Sequence, residues 1–248
     1  MTPEFSEFSY GFAITNEFVG WTELRAAPVF PTLIEEGKEG GGYDVKLEMP
    51  AAPLYLQFKR AQHMTRRSAR EISQHNLPLH VPFHRFGITE RSRSFQHTSL
   101  VERDDGHSFV FYVGPRFHEL GELDDAFTRQ EVVRRSIFVS PTEIGLIDDD
   151  DAHSVAYDNR RAYFCSEPRQ ITPVSIEGLK ERLLGRLAAN PRPLREQLPE
   201  WRERAQAARM RAVETDRKLE LIRAERKAAM RAAKGQPPEI IVTLSWLG

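Results

Sequence analysis

Asp44, Gln57 and Lys59 are the residue types that handle a metal ion and a phosphate, and they fall within one short stretch, Gly42 to Lys59, GYDVKLEMPAAPLYLQFK. Mg²⁺ takes hard oxygen ligands and keeps several waters, so one or two carboxylates and a substrate phosphate complete its shell. An ion held this way lowers the pKa of a bound water and neutralises charge on the phosphate under attack. A lysine two residues beyond a ligand on the same strand face orients that water or stabilises the pentavalent state. Asp44 and Gln57 supply oxygen, and Lys59 supplies the ammonium. Mg²⁺ is the expected cofactor, with Mn²⁺ as its alternative.

The elements that must position these groups read as two strands and a turn. Tyr43 to Met49 alternates, with Tyr43, Val45 and Leu47 on one face and Asp44, Lys46 and Glu48 on the other. Pro50-Ala51-Ala52-Pro53 closes the first strand and opens the second. Leu54 to Lys59 places Leu54, Leu56 and Phe58 on one face and Tyr55, Gln57 and Lys59 on the other. Pairing the two strands brings Asp44 next to Gln57 and Lys59.

D-x12-Q-x-K across two strands resembles the PD-(D/E)xK nuclease superfamily, and within it the Mrr-like branch that carries Gln in the second position. The likeness covers roughly the first half of the chain. It implies a restriction-endonuclease-like α/β fold: a helix, three strands with the motif on the second and third, then a helix and another strand. It implies Mg²⁺-dependent hydrolysis of a nucleic acid, DNA ahead of RNA. Two departures stand out. Tyr43 occupies the place where many members have proline. Gln57 replaces the usual Glu, so the site lacks one negative charge and needs another acid. Family members often carry that acid on the first helix, which nominates Glu7. Glu36 is the second nominee. By the same analogy Gln96 and His97, on the helix after the motif strand, stand near the scissile phosphate. A nuclease domain without a recognition module fits a bacterial defence effector that a partner activates. The rival is a non-catalytic interaction protein that keeps the fold.

The rest of the chain gives these residues their setting. At 248 residues and 28.5 kDa it has room for one large domain or a domain plus an appendage, and 40% hydrophobic content suffices for a core. Net charge is −1, so a basic binding surface must be local. One cysteine, Cys165, excludes an internal disulfide and a cysteine-based zinc site, and its apolar strand makes it a core residue. No apolar run reaches transmembrane length, and the first residues lack a signal peptide's basic and apolar regions. The expectation is a cytoplasmic protein with no membrane partner.

Pro3 to Val19 reads as the first helix, capped by Thr2, with Phe5, Phe8, Phe12, Thr15 and Val19 as its buried stripe and Glu4 and Glu17 exposed. Val29 to Ile34 reads as a strand, and Gly40 to Gly42 as the turn into the hairpin. Arg60, Arg66, Arg67 and Arg70 form a cationic segment suited to phosphate-backbone contacts. His80 and His84 lie four apart, but Pro78 and Pro82 forbid a regular helix, so zinc is not expected at that pair. Phe95 to Arg103 is a helix and Ser108 to Val113 a core strand. Leu120 to Arg135 is a helix with Leu120, Leu123, Phe127 and Val132 inward, and Ile137 to Val139 is a strand. Asp148 to Asp151 reads as a solvated acidic loop, and Ser154 to Tyr157 and Ala162 to Cys165 as the last strand pair.

Composition shifts after Pro173, dividing the chain into a nuclease-like domain, 1–173, and a helical extension, 174–248. The extension opens with a helix from Ile176 to Leu187. Leu198 to Lys234 then reads as one long helix with an apolar line of Trp201, Ala205, Ala208, Ala212, Leu219, Ile222 and Ala229. From Trp201 to Lys234 there are 11 Lys and Arg against 5 Asp and Glu. A narrow apolar stripe in a charged surround suits packing on the body, on a protein partner or on a second copy through Leu198 to Gly248, with a basic arm for nucleic acid as the alternative. Ile240 to Leu247 reads as a strand-like tail.

Overall fold

A computed structural model describes residues 1–21, 26–31, 42–49, 52–90, 94–189, 192 and 194–233. Helix α1 spans Glu7–Trp21, and strands β1, Val45–Glu48, and β2, Pro53–Phe58, form the hairpin. Then come β3, Gln62–Met64, a short α2, Arg70–Ser73, and β4, Phe83–Ile88. Helix α3, Gln96–Arg103, leads into β5, Phe109–Pro115, and α4, Leu120–Thr128, into β6, Ser136–Val139. A short α5, Pro141–Ile144, precedes β7, His153–Tyr157, β8, Ala162–Phe164, and β9, Arg169–Ile171. Two helices close the described chain: α6, Ile176–Ala189, and α7, Leu194–Ala233.

The strands form two sheets. One is mixed, ordered β1-β2-β5-β6, with β2 and β5 parallel and the other neighbours antiparallel. The second is antiparallel, ordered β3-β4-β7-β8-β9. The parallel pair needs a crossover, and the chain between β2 and β5 supplies it with the β3–β4 pair and α3. Val29 makes an isolated antiparallel bridge to Lys46, and Phe30 and Pro31 after it are not in a strand; residues 32–34 of the strand expected there, and the strand-like tail, lie outside the described residues.

Strand β2 explains the layering. All six of its residues are buried. Leu54, Leu56 and Phe58 join a core with Tyr10, Ile14, Phe18, Leu123 and Leu179, between the mixed sheet and α1, α4 and α6. Tyr55 faces the opposite core, where Val110, Tyr112, Ile137 and Val139 meet Phe86, Val155, Tyr157 and Phe164 of the second sheet. The alternation read from the sequence therefore holds across β2. It fails at Tyr43, which leaves the face of Val45 and Leu47 and packs edge-on against Tyr55, centroids 4.9 Å apart. A third cluster, with Leu77, Leu79, Phe83, Tyr163 and Cys165, covers the outer side of the second sheet. Cys165 is core, and burial pushes its thiol up to about 11.

Several helical expectations are corrected. Helix α1 begins at Glu7 rather than Pro3, and Ser6 rather than Thr2 caps it, its Oγ accepting the Ser9 N–H at 3.0 Å. Its buried residues are Tyr10, Gly11, Ala13, Ile14, Thr15, Glu17 and Phe18; Thr15, and Phe5 just before the helix, are buried as expected, but Phe8 at 78% and Phe12 at 56% exposure, with Val19, lie outside the core. Glu17 is buried, not exposed: its carboxylate accepts the Val133 N–H at 3.0 Å, which fixes the turn before β6. Helix α4 ends at Thr128, where Arg129 and Gln130 form a turn, and Leu120 and Phe127 are exposed while Leu123 and Val132 are inward.

Helix α7 begins earlier than expected, at Leu194, and packs along α3. Trp201, Ala208, Ala212 and Leu219 are buried; Ile222 and Ala229 are not. The acidic loop is not simply solvated. Asp150 pairs with Arg223 and, at 3.1 Å, with Lys227, and Asp148 pairs with Arg226 at 2.7 Å. The helix's positive charge is thus partly spent on holding it to the body. No described helix is long and apolar enough to cross a membrane.

Gly11 is where α1 comes closest to β2. A Cβ built there would stand 2.5 Å from the Phe58 ring. Valine at this position gains a few tenths of a kcal/mol of helix propensity over glycine, against about 1–3 kcal/mol for overpacking a filled core. Gly11→Val is expected to lower the unfolding free energy by about 1–3 kcal/mol in urea denaturation. A variant as stable as the parent would show that α1 can retreat from the sheet.

Candidate functional site

The register of the hairpin sets Asp44 opposite Gln57, because Val45 pairs with Leu56 and the Asp44 N–H donates to the Leu56 carbonyl at 2.9 Å. The Asp44 carboxylate accepts the Phe58 N–H at 2.6 Å, and both of its oxygens accept from Gln57 Nε2, at 2.9 and 3.1 Å. Gln57 Oε1 accepts from Gln96 Nε2 at 3.2 Å. Gln96 Oε1 in turn accepts from Lys59 Nζ and from Thr89 Oγ1, each at 3.2 Å. Lys59 lies just beyond β2, its N–H bonded to the Val113 carbonyl at 2.9 Å and its ammonium 5.5 Å from the centre of the Tyr112 ring.

These contacts form one directional chain, Lys59 to Gln96 to Gln57 to Asp44. A carboxylate only accepts and an ammonium only donates, so the two ends fix how both carboxamides face. Reversing either amide would set oxygen against oxygen or N–H against N–H. Gln57 is 3% exposed and Lys59 8%, depths at which a polar or charged group must be answered by partners. The expected trio is therefore brought together, and Gln96 is its link.

Glu7 reaches the same region from α1. It lines a cleft of about 610 Å³ with Asp44, Phe58, Phe8, Gly11, Phe12, Phe30 and Pro31. Its carboxylate accepts the Arg60 N–H at 2.9 Å, and the Arg60 guanidinium donates to the Pro3 carbonyl at 2.9 Å. Two carboxylates on one cleft are the hard oxygen donors that Mg²⁺ takes, with water filling the rest of its shell. Gln57 faces Asp44 with its N–H₂, so to ligate an ion its carboxamide must turn end for end and give up its bond to Gln96.

The other expected residues divide. Arg66, Arg67 and Arg70 are exposed on the segment after β3, available as surface cations. Glu36 lies outside the described residues. His97 sits in the core: its Nδ1 is 2.9 Å from the Tyr112 hydroxyl and its Nε2 2.7 Å from the Gly145 carbonyl. It joins α3 to β5 and to the turn after α5 rather than opening onto the cleft residues.

A second cluster was not foreseen. His84 meets not His80 but His63 and His118, with a nitrogen from each ring within 4.8 Å of the others. His63 and His84 are direct partners across β3 and β4, while His118 follows β5. No spacing in the sequence signals this, because sheet pairing and a crossover bring the three together. Comparison with protein-family models, with curated proteins and with solved structures gave no match.

Burial pushes His97 down to about 4, and burial with the neighbouring His63 and His118 does the same for His84. Both rings stay neutral in the folded chain at pH values where an unfolded chain's histidines, near 6.5, take up protons. Their stabilising contribution is complete above about pH 6.5 and is lost as pH falls towards about 4. In metal-free buffer, stability should decline across that interval. His97→Gln should be less stable than the parent at pH 7 yet decline less steeply, since one of the histidines that the fold keeps neutral is gone. Denaturant titrations at pH 7, 6 and 5 read this directly; parallel pH curves for parent and variant would contradict it.

Proposed function

We propose that the chain is a metal-dependent phosphodiesterase acting on nucleic acid, DNA ahead of RNA, with Asp44 and Glu7 at the ion, Gln57 joining them only when its carboxamide turns, and Lys59 at the water or phosphate. The observation that carries this reading is the Asp44–Gln57–Gln96–Lys59 chain at the end of a strand buried on both faces. Lysine is seldom buried unless it is paired, and here one is held 8% exposed with its ammonium on Gln96 Oε1, in the chain of amides that leads to the acid. The order of elements is compatible with it: α1, the Val29 bridge, β1, β2 and, past β3, α2 and β4, helix α3 and then β5 parallel to β2 resemble the helix, three strands, helix and strand of the PD-(D/E)xK superfamily.

Bound Mg²⁺ supplies Lewis acidity and an activated water at this site. The chain's own groups do the rest. Asp44 and Glu7 hold the ion's position. Lys59 stabilises charge developing on the phosphate, and Gln96 fixes where that ammonium points. Arg66, Arg67 and Arg70 add backbone contacts that anchor the substrate without reading its sequence. A non-catalytic scaffold is the second reading, favoured by Met210, Leu221 and Met230, which stand exposed on α7 as a surface for another protein or a second copy.

The test is cleavage of plasmid, linear DNA and RNA by purified protein with Mg²⁺, Mn²⁺ or chelator. Asp44→Ala is expected to abolish cutting. Lys59→Ala is expected to lower the rate on the order of 10²–10³-fold while leaving ion binding largely intact. Gln57→Glu should retain activity because it adds charge at the ion. Metal-dependent cutting that persists in both alanine variants would place the chemistry elsewhere, and a parent protein inert on all three substrates would favour the scaffold.

A further inference from the structure

We propose that His63, His84 and His118 form a transition-metal site, for Zn²⁺ or a similar borderline ion, that fastens the two sheets together. The site is separate from the Asp44 cleft and does not depend on the reading given to that cleft.

Geometry argues for it first. In a tetrahedral zinc site with Zn–N near 2.0–2.1 Å, ligand nitrogens stand roughly 3.3 Å apart. His63 Nδ1 and His84 Nε2 are already 3.2 Å apart. The third nitrogen lies within the 4.8 Å that encloses all three. The His63 and His118 rings are stacked, centroids 4.0 Å apart and planes 4° from parallel, so one of them must turn to aim at a shared ion. Of the three, His118 is the one on a loop, between β5 and α4, with its side chain 13% exposed.

The surroundings fit an ion of this class. Metal-bound imidazoles usually have a carboxylate beside the ring, and Glu122 Oε2 stands 3.4 Å from His118 Nδ1. That carboxylate is itself held by the backbone N–H groups of His118 and Glu119, at 2.9 and 3.0 Å. Three imidazoles suit Zn²⁺, Co²⁺ or Ni²⁺ and not Mg²⁺, which takes oxygen. Three protein ligands leave a fourth position for water or an acid.

The placement gives the ion a structural task. His63 and His84 belong to the antiparallel sheet, and His118 follows β5 of the mixed sheet. The first residues of the chain are stitched to the same place. His63 exchanges backbone bonds with Met1, and the Glu4 N–H donates to the His118 carbonyl at 2.9 Å. An ion bound by all three rings would lock that seam.

The experiment uses tag-free full-length protein stripped with chelator and titrated with Zn²⁺ by calorimetry and with Co²⁺ by absorption. One equivalent should bind. The Co²⁺ spectrum should show the visible bands of a four-coordinate nitrogen-rich site, and the melting temperature should rise with Zn²⁺ but not with Mg²⁺. Binding only to the folded state predicts that rise. His118→Ala is the deciding variant, since His118 is on a loop and belongs to none of the three apolar core clusters. It should lose the Co²⁺ bands and the Zn²⁺-dependent thermal shift while keeping the parent's circular dichroism. Glu122→Gln should weaken Zn²⁺ binding roughly 10–100-fold. Asp44→Ala should bind Zn²⁺ as the parent does. The proposal is overturned by a parent that binds no Zn²⁺, by His118→Ala binding it unchanged, or by Asp44→Ala losing it.

Discussion

Burying an ammonium at the end of a two-faced strand is the constraint on which the rest of this architecture turns. Taking a charge out of water costs several kcal/mol unless the surroundings answer it. Lys59 is 8% exposed, at the point where β2 leaves the mixed sheet. Its answer is Gln96 on α3, and the answer to Gln96 is Gln57, whose N–H₂ must then face an acceptor. Asp44 is that acceptor, placed there by the antiparallel register of β1. Removing Asp44 would take from the buried Phe58 N–H and Gln57 Nε2 the carboxylate they donate to, and a buried donor left without an acceptor costs about 1–3 kcal/mol. The chain therefore ties a loop residue, a strand and a helix into one electrostatic unit, and it gives α3 a fixed rotation about its axis.

Helix α7 is held by a different balance. Its buried line is short and rich in alanine, so it contributes little apolar area for its length. Charge supplements it: Arg223, Arg226 and Lys227 meet Asp148 and Asp150, and Arg211 meets Glu102 at 3.4 Å, on the α3 that carries Gln96. Exposed ion pairs are individually weak and screened by salt. A helix attached this way responds to ionic strength and to competing polyanions more than an apolar one would. Its pairing also lowers the number of cations left for any nucleic acid.

What could be read from the sequence was local. The hairpin, its alternation and the pairing of Asp44 with Gln57 follow from a period of two and a proline-bounded turn, both written within Gly42 to Lys59. Helix α1 was legible in kind but not in phase. Phe8 and Phe12 look like core residues at helical spacing, yet they line the cleft, while Tyr10, Ile14 and Phe18 carry the buried stripe. Hydrophobic spacing cannot tell a core face from an apolar cleft wall on the same helix. Glu17 misled for the opposite reason: an acid reads as solvent-facing until a distant backbone N–H, that of Val133, is known to need it. The histidine cluster was illegible, since β3–β4 pairing and the turn after β5 create it from residues that no motif links.

The two clusters are nonetheless joined by the shortest of connections. The chain leaves the mixed sheet at Phe58 and enters the antiparallel sheet at Gln62, so the residues from Lys59 to Ala61 are the bridge between them. That bridge is pinned at intervals: Lys59 N–H to Val113, Arg60 N–H to Glu7, Ala61 buried in the core between the sheets, and His63 N–H to Met1. A side chain works electrostatically only as well as its backbone is held, because a displacement of about 1 Å can cost a hundredfold in rate. Anything that stiffens the His63 end of the bridge therefore also steadies Lys59. The two donor sets differ in chemical hardness, with oxygens at Asp44 and Glu7 and imidazoles at the seam, so an ion that suits one suits the other poorly. One strand-to-strand crossing thus carries a buried lysine at one end and a histidine of the three-ring cluster at the other.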